Sequence, residues 1–185
     1  MIGENTADEV LYQRALEGDR KSFEAIYDRY AGRLYHYFRR MLNGDEELAK
    51  DQTQEIFIKL IQKGETYNPD RPFKTWVFSM AHNMCKNIYR HRDVEQRASE
   101  QLKVVKTSST DTSGMDRKKF KSALETELLK FDKERRNIFI LRYKIKLSVK
   151  EISELTEIPE GTVKSKLFYT IKKLSQSLVE FNPKT

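Results

Sequence analysis

Hydrophobic positions recur every three or four residues along most of this chain, and strict alternation is scarce. That period predicts helices rather than strands. A short helix over residues 8–17 ends at Gly18. A longer one over 20–42 carries Phe23, Ile26, Tyr27, Tyr30, Leu34, Phe38 and Met41 at helical spacing and stops at Asn43-Gly44. A third, over 45–63, turns Leu48, Ile56, Leu60 and Ile61 inward, with Gly64 as its end. Residues 66–72 form a loop, because Pro69 and Pro72 together exclude a helix. The fourth helix, 73–92, has Phe73, Trp76, Val77, Met80, Met84 and Ile88 on one face. The pattern then fades. The run Thr-Ser-Ser-Thr-Asp-Thr-Ser-Gly at 107–114 offers little to bury, so 93–117 reads as a flexible linker. Periodicity returns near Phe120 and predicts about four more helices. The expected fold is all-α: two small helical domains, 1–92 and 118–185, joined by that flexible linker.

The last two helices are the most telling. In 148–178, Ser148 with Glu151 three residues on forms a capping-box signature, and Ile152 and Leu155 point inward. Pro159 suits the first turn of the following helix, where a missing N–H costs nothing. Val163, Leu167, Ile171, Leu174 and Leu178 share one face of that helix. Thr162, Lys164, Ser165, Lys166, Phe168 and Tyr169 fall away from it near the helix start. Between Gly161 and Val179 there are four lysines and no acid. Helix, tight turn and basic second helix make a helix-turn-helix pattern, whose second helix enters the major groove of duplex DNA.

Composition agrees with small helical modules. Only 38% of residues are hydrophobic and 34% are charged, which is lean for one large core. A single cysteine, Cys85, excludes an intramolecular disulfide. No apolar run approaches a membrane span, and residues 1–20 are polar and acidic rather than a signal peptide. A soluble cytoplasmic protein without membrane insertion is expected. The net charge of +7 is unevenly placed. Residues 1–92 hold 15 basic and 14 acidic side chains, 93–117 hold 4 and 5, and 118–185 hold 16 and 9. The C-terminal part thus carries the excess, as a DNA-binding module would. Within 71–92, however, Arg71, Lys74, Lys86, Arg90 and Arg92 occur without an acid. The balancing acids cluster elsewhere, as in 44–55, so one domain carries a basic stripe and an acidic surface for two different partners.

On the third helix Asp51, Gln54, Glu55 and Ile58 lie three to four apart and share a face. Polar residues with apolar flanks suit a protein interface; Phe57 fits either that interface or the core. Residues 67–92 offer the basic stripe and, as aromatics, Tyr67, Trp76 and Phe78, while Phe73 and Trp76 fit the core better by spacing. His82 and Cys85 stand three apart, but no second pair completes a zinc site, so neither metal nor cofactor is expected. No nucleophile triad, phosphate loop or paired carboxylate points to an enzyme.

Several segments resemble, in order, the extracytoplasmic-function (ECF) branch of the sigma-70 family: EGDRKSFEAIYDRY at 17–30, DQTQEIFIKL at 51–60, FKTWVFSMAHN at 73–83, ERRNIFILRY at 134–143 and EGTVKSK at 160–166. The resemblance covers nearly the whole chain outside the linker. It implies a non-catalytic subunit that binds RNA polymerase core, at its beta′ clamp and beta flap, and brings it to paired -35 and -10 promoter elements. By motif position it assigns Asp51, Gln54, Glu55, Phe57 and Ile58 to core binding. Tyr67, Arg71, Lys74, Asn83, Lys86 and Arg90 fall to the -10 element. Loop 67–72 and Asn83 would capture a flipped base, since an Asn amide both donates and accepts. Arg142, Thr162, Lys164, Ser165, Lys166 and Phe168 fall to the -35 element. Family members are often held by an anti-sigma factor; nothing in this chain identifies one. The turn departs from the family: Glu157 stands where Gly is common, at a cost of about 1 kcal/mol if that position is left-handed. Asp132 replaces a frequent Pro but can cap the helix that follows. A stand-alone helix-turn-helix regulator is the rival reading. The 51–60 face and the basic, aromatic 67–92 stretch argue against it.

Overall fold

A computed structural model describes residues 6–98 and 115–181 of the chain. Eight α-helices and two single-turn 3-10 helices make up its regular structure, with no strand among the described residues. The chain divides into two compact units, Met1–Val105 and Lys106–Thr185. Most of the stretch read as a linker lies outside the described residues.

The first unit holds α1 (Asp8–Leu16), α2 (Arg20–Met41), α3 (Glu46–Gln62) and α4 (Phe73–Ala98). The starts of α2 and α3 and the end of α2 have local causes. The Asp19 carboxylate accepts from the Lys21 N–H at 3.1 Å and caps α2. Asp45 accepts from the Leu48 N–H at 3.1 Å, and Glu46 and Glu47 complement the dipole of α3. Asn43 and Gly44, at φ 59° and 85°, end α2 in the left-handed region that Asn and Gly tolerate best. Leu11, Ile26, Leu34, Phe38, Ile56, Leu60, Phe73 and Val77 fill the core.

Two side chains expected at the core lie outside it. Ile61 is 62% exposed, because the inward face of α3 is filled by Thr53, Ile56, Phe57 and Leu60. Tyr27 is also exposed and lays its ring across Phe57, with centroids 4.7 Å apart. α4 continues past Arg92 to Ala98, so the first residues of the expected linker are helical.

The second unit holds α5 (Met115–Leu129), α6 (Lys133–Tyr143), α7 (Val149–Thr156) and α8 (Glu160–Ser177). The start of α5 takes in residues 115–117, which also belong to the expected linker. Leu128, Phe131, Phe139, Leu174 and Leu178 form one apolar cluster between α5, α6 and α8. The buried Arg136 guanidinium donates to the Leu129 and Phe131 carbonyls and so fastens the α5–α6 turn. Asp132 caps α6, accepting from the Arg135 N–H at 2.8 Å. The capping box of α7 is complete: Ser148 Oγ accepts from the Glu151 N–H, and Glu151 Oε2 accepts from the Ser148 N–H at 2.7 Å. Glu157 ends α7 at φ 62°, ψ 22°, the left-handed geometry in which a side chain is penalised. Pro159 sits one position before α8, as its N-cap rather than in its first turn. On α8 the buried polar residue is Thr170, while Ile171 is partly exposed. The burial stripe through Val163, Leu167 and Leu174 passes over position 170, and the Thr170 hydroxyl is satisfied by donating to the Lys166 carbonyl at 2.7 Å.

Candidate polymerase and nucleic-acid interfaces

Helical phase decides what α3 presents. Asp51, Gln54 and Ile58 are exposed, and Ile61 extends the same stripe by one more turn. Ile58 is 48% exposed although it follows the buried Phe57. Glu55 lies at the stripe's edge, its carboxylate accepting from Lys59 Nζ at 2.5 Å. Phe57, 5% exposed, packs on Phe23 and Tyr27, so the alternative left open for it falls to the core. The stripe is therefore acidic and amidic at one end and aliphatic at the other. Ile61 and Tyr27 are its unexpected members. The signal for Ile61 was present in the sequence: it stands three residues beyond Ile58, on the phase begun by Asp51.

The basic stretch separates into free surface and scaffold. Asn83, Lys86 and Arg90 are exposed and share one face of α4, and Arg71 is exposed in the preceding loop. Lys74 is half-buried at the helix start. Arg92 instead bonds Asp45 Oδ2 at 3.2 Å, linking the late part of α4 to the cap of α3. The aromatics are mostly scaffold. Phe78 is fully buried, edge-on to Tyr37, and is unavailable to a base. Phe73 is fully buried, and Trp76 is half-buried in a cluster with Tyr12, Tyr67 and Phe73. Tyr67 is 8% exposed; its hydroxyl donates to the Arg71 carbonyl at 2.9 Å, and burial pushes its phenol up to about 12. The loop it closes is wound tightly. The Asp70 N–H donates to Asn68 Oδ1 at 2.9 Å, and the Arg71 N–H donates to the Asn68 carbonyl at 3.0 Å. What the loop offers to a ligand is thus Asn68, Asp70 and Arg71, while Tyr67 anchors it from beneath.

In the second unit, α7 and α8 stand as the sequence pattern requires, and the start of α8 is exposed at Thr162, Lys164, Ser165 and Phe168. Lys164 is only loosely paired, 3.7 Å from Glu160 within its own helix. Lys166 differs: its ammonium meets Glu134 of α6 at 2.8 Å with most of the side chain covered. Arg142 is exposed but has one nitrogen donating to the Leu147 carbonyl at 2.9 Å, which fixes the guanidinium beside the start of α7. Tyr169 is exposed beside Phe168, their rings edge-to-face at 5.4 Å. Tyr169, Lys172, Lys173 and Gln176 of α8 join Arg135 of α6 in lining an open groove of about 670 Å³. Its three cations come from two helices, a convergence that spacing along one helix does not reveal.

Among the described residues no group of His, Cys, Asp and Glu side chains converges to hold a metal ion. Cys85 is buried, and burial pushes its thiol up to about 12. No helix of the described residues is long and apolar enough to cross a membrane.

Comparison with known proteins matches this geometry to a family. Residues 26–94 match the model described as Sigma-70 region 2, and residues 121–174 match that described as Sigma-70, region 4. The chain is 28% identical over 161 residues to the ECF RNA polymerase sigma factor SigW of Bacillus subtilis, covering 82% of this chain and 86% of that protein. It is 27% identical over 183 residues to the ECF RNA polymerase sigma-E factor of Escherichia coli, covering 90% and 92%. Its fold resembles the sigma factor RpoE of Bartonella quintana, solved with the anti-sigma factor NepR, at a TM-score of 0.73, 19% identity and coverage of 85% and 97%. It also resembles CnrH, solved with the cytosolic domain of CnrY, at a TM-score of 0.68, 20% identity and coverage of 95% and 99%.

Proposed function

Since this chain belongs to the sigma-70 family, in its extracytoplasmic-function branch, and is a non-catalytic promoter-specificity factor of RNA polymerase, we propose that it divides three contacts between its two units. The α3 stripe of Asp51, Gln54, Glu55 and Ile58 docks on polymerase core, with Phe57 supporting it from within. Arg71, Lys74, Asn83, Lys86 and Arg90, with the Tyr67-anchored loop, engage and open the -10 element. Arg142, Thr162, Lys164, Ser165 and Phe168 engage the -35 element, and Lys166 reinforces the recognition helix through Glu134.

The observation that carries this reading is the composition of the first unit's surface. One small helical unit exposes an acidic-to-aliphatic stripe on α3 and, over residues 83–90 of α4, a basic face. A lone duplex-binding regulator needs neither. The two faces fit a protein partner and an anionic single strand respectively. The reading includes an anti-sigma protein as a further partner, as RpoE of Bartonella quintana has in NepR. It puts the chain in the cytoplasm, where the polymerase works.

In vitro transcription is the test. Purified full-length chain plus core polymerase gives specific initiation from a restricted promoter set, while the chain alone binds duplex DNA weakly. Tight, sequence-specific duplex binding without core would favour the stand-alone regulator instead.

A further inference from the structure

The first helix, nine residues long, makes polar connections to each of the other three helices of its unit. Asp8 accepts from Arg29 Nη1 at 2.7 Å and from the Tyr30 hydroxyl at 2.5 Å, which pins α1 to α2. Tyr12 donates to the Leu60 carbonyl in the last turn of α3, at 2.5 Å. Its ring packs against Tyr67, Phe73 and Trp76 at centroid distances of 5.2, 4.7 and 5.5 Å. Glu9 accepts from the backbone N–H of Phe73, the first residue of α4, at 2.9 Å and across 64 positions of sequence.

The last bond has a particular meaning. A helix start leaves N–H groups without partners, and the residue before the helix ordinarily supplies a side-chain acceptor. Here that residue is Pro72, which has none. Glu9 delivers the acceptor from another helix, and its charge suits the positive end of α4. Loop 67–72 therefore has both of its flanks gripped by α1: Tyr12 holds Leu60 and packs under Tyr67, and Glu9 holds Phe73. Phe73, where the loop ends, and Asn83 stand about 15 Å apart along α4. How the loop sits relative to Asn83 therefore depends on how the start of α4 is held.

We propose that Glu9 is a positioning residue for -10 recognition, holding the α4 start, and with it loop 67–72, in the register needed to read unpaired bases. The inference rests on the assignment of that loop and Asn83 to the -10 element. Glu9 touches no DNA itself; it acts through the Phe73 N–H.

The test uses the full-length chain with core polymerase, transcribing a library randomised at its -35 and -10 segments, with the products sequenced. Glu9→Ala flattens the base preferences in the -10 segment by about fivefold, the equivalent of one lost cap. Its -35 preferences and its affinity for core stay as in the parent. Glu9→Gln, whose amide oxygen still accepts, restores the -10 preferences. Where Glu9→Ala fails to fold, Glu9→Asp takes its place, since its shorter side chain keeps the charge but draws the acceptor back from the Phe73 N–H. Unchanged -10 preferences in the folded Glu9 variant, or equal losses at both elements, would overturn the inference. Asn83→Ala separates the two levels. If it too leaves the -10 preferences intact, the assignment of the -10 surface is what fails. If it flattens them and Glu9→Ala does not, the positioning role alone fails.

Discussion

Replacing Phe57 by Ala should destabilise the first unit by about 3–5 kcal/mol, because a packed aromatic is removed from between Phe23 and Tyr27. Its neighbour behaves in the opposite way. Ile58→Asp alters an exposed side chain, so the unfolding midpoint stays near the parent's while capture by immobilised core polymerase is lost. Urea unfolding and a core pull-down on the two variants check both halves. A pull-down that retains Ile58→Asp would remove α3 from the interface. The two lysines of the recognition helix divide similarly. Lys164→Ala should weaken binding of holoenzyme to promoter DNA and reduce its salt slope by about 1. Lys166→Ala should change the slope less and lower the melting temperature more, since Lys166 is engaged with Glu134. Salt titrations of the two variants decide the matter. At this scale the sequence was legible where helical phase decides burial, as for Ile56 and Leu60. It misled where two phases compete: Thr170 takes the interior position expected of Ile171, because its hydroxyl finds a carbonyl one turn back. It was silent where a partner comes from a distant helix, as Glu134 does for Lys166.

Among the elements, α7 is short and depends on its ends. Ser148→Ala removes one half of a reciprocal pair and should cost about 1 kcal/mol. Because α7 braces α8, the same variant should lose -35 binding in proportion to its loss of helix, measured by circular dichroism and by binding to a -35 duplex in holoenzyme. Intact -35 binding after a measurable loss of stability would separate the brace from the reading head. This capping box was written in the sequence, as was the Asp132 cap, since each is a local signal read within a few residues; the left-handed turn at Glu157 was raised only as a condition, through the family's Gly at that position. The cap of α4 was not legible, because its acceptor lies on α1, and no local rule links Glu9 to Phe73.

For the whole molecule, the division into two units explains why composition alone said so little. Each unit builds a small core, and the surface between cores and partners carries the charge. Tyr12, Tyr30, Tyr37, Tyr67 and Cys85 all have burial as the main cause of raised proton affinity, and all lie in the first unit. A proton held more tightly in the folded than in the unfolded state stabilises the fold below the unfolded pKa, and this contribution is lost as pH rises through the folded value. Stability of the first unit should therefore fall from about pH 9 upward, where unfolded thiols and then phenols begin to ionise. Trp76, the single tryptophan, reports on that unit. Urea midpoints followed by its fluorescence should decline between pH 9 and 11, and a flat profile would contradict the buried phenols. The stripe that ends in Ile58 and Ile61 has a consequence for the free chain as well as for docking. Two neighbouring exposed isoleucines give free copies a sticky edge, so chain made in excess of its partners should self-associate more readily than an Ile58→Asp variant at the same concentration. Partner surfaces that cover the stripe would then also keep the chain dispersed.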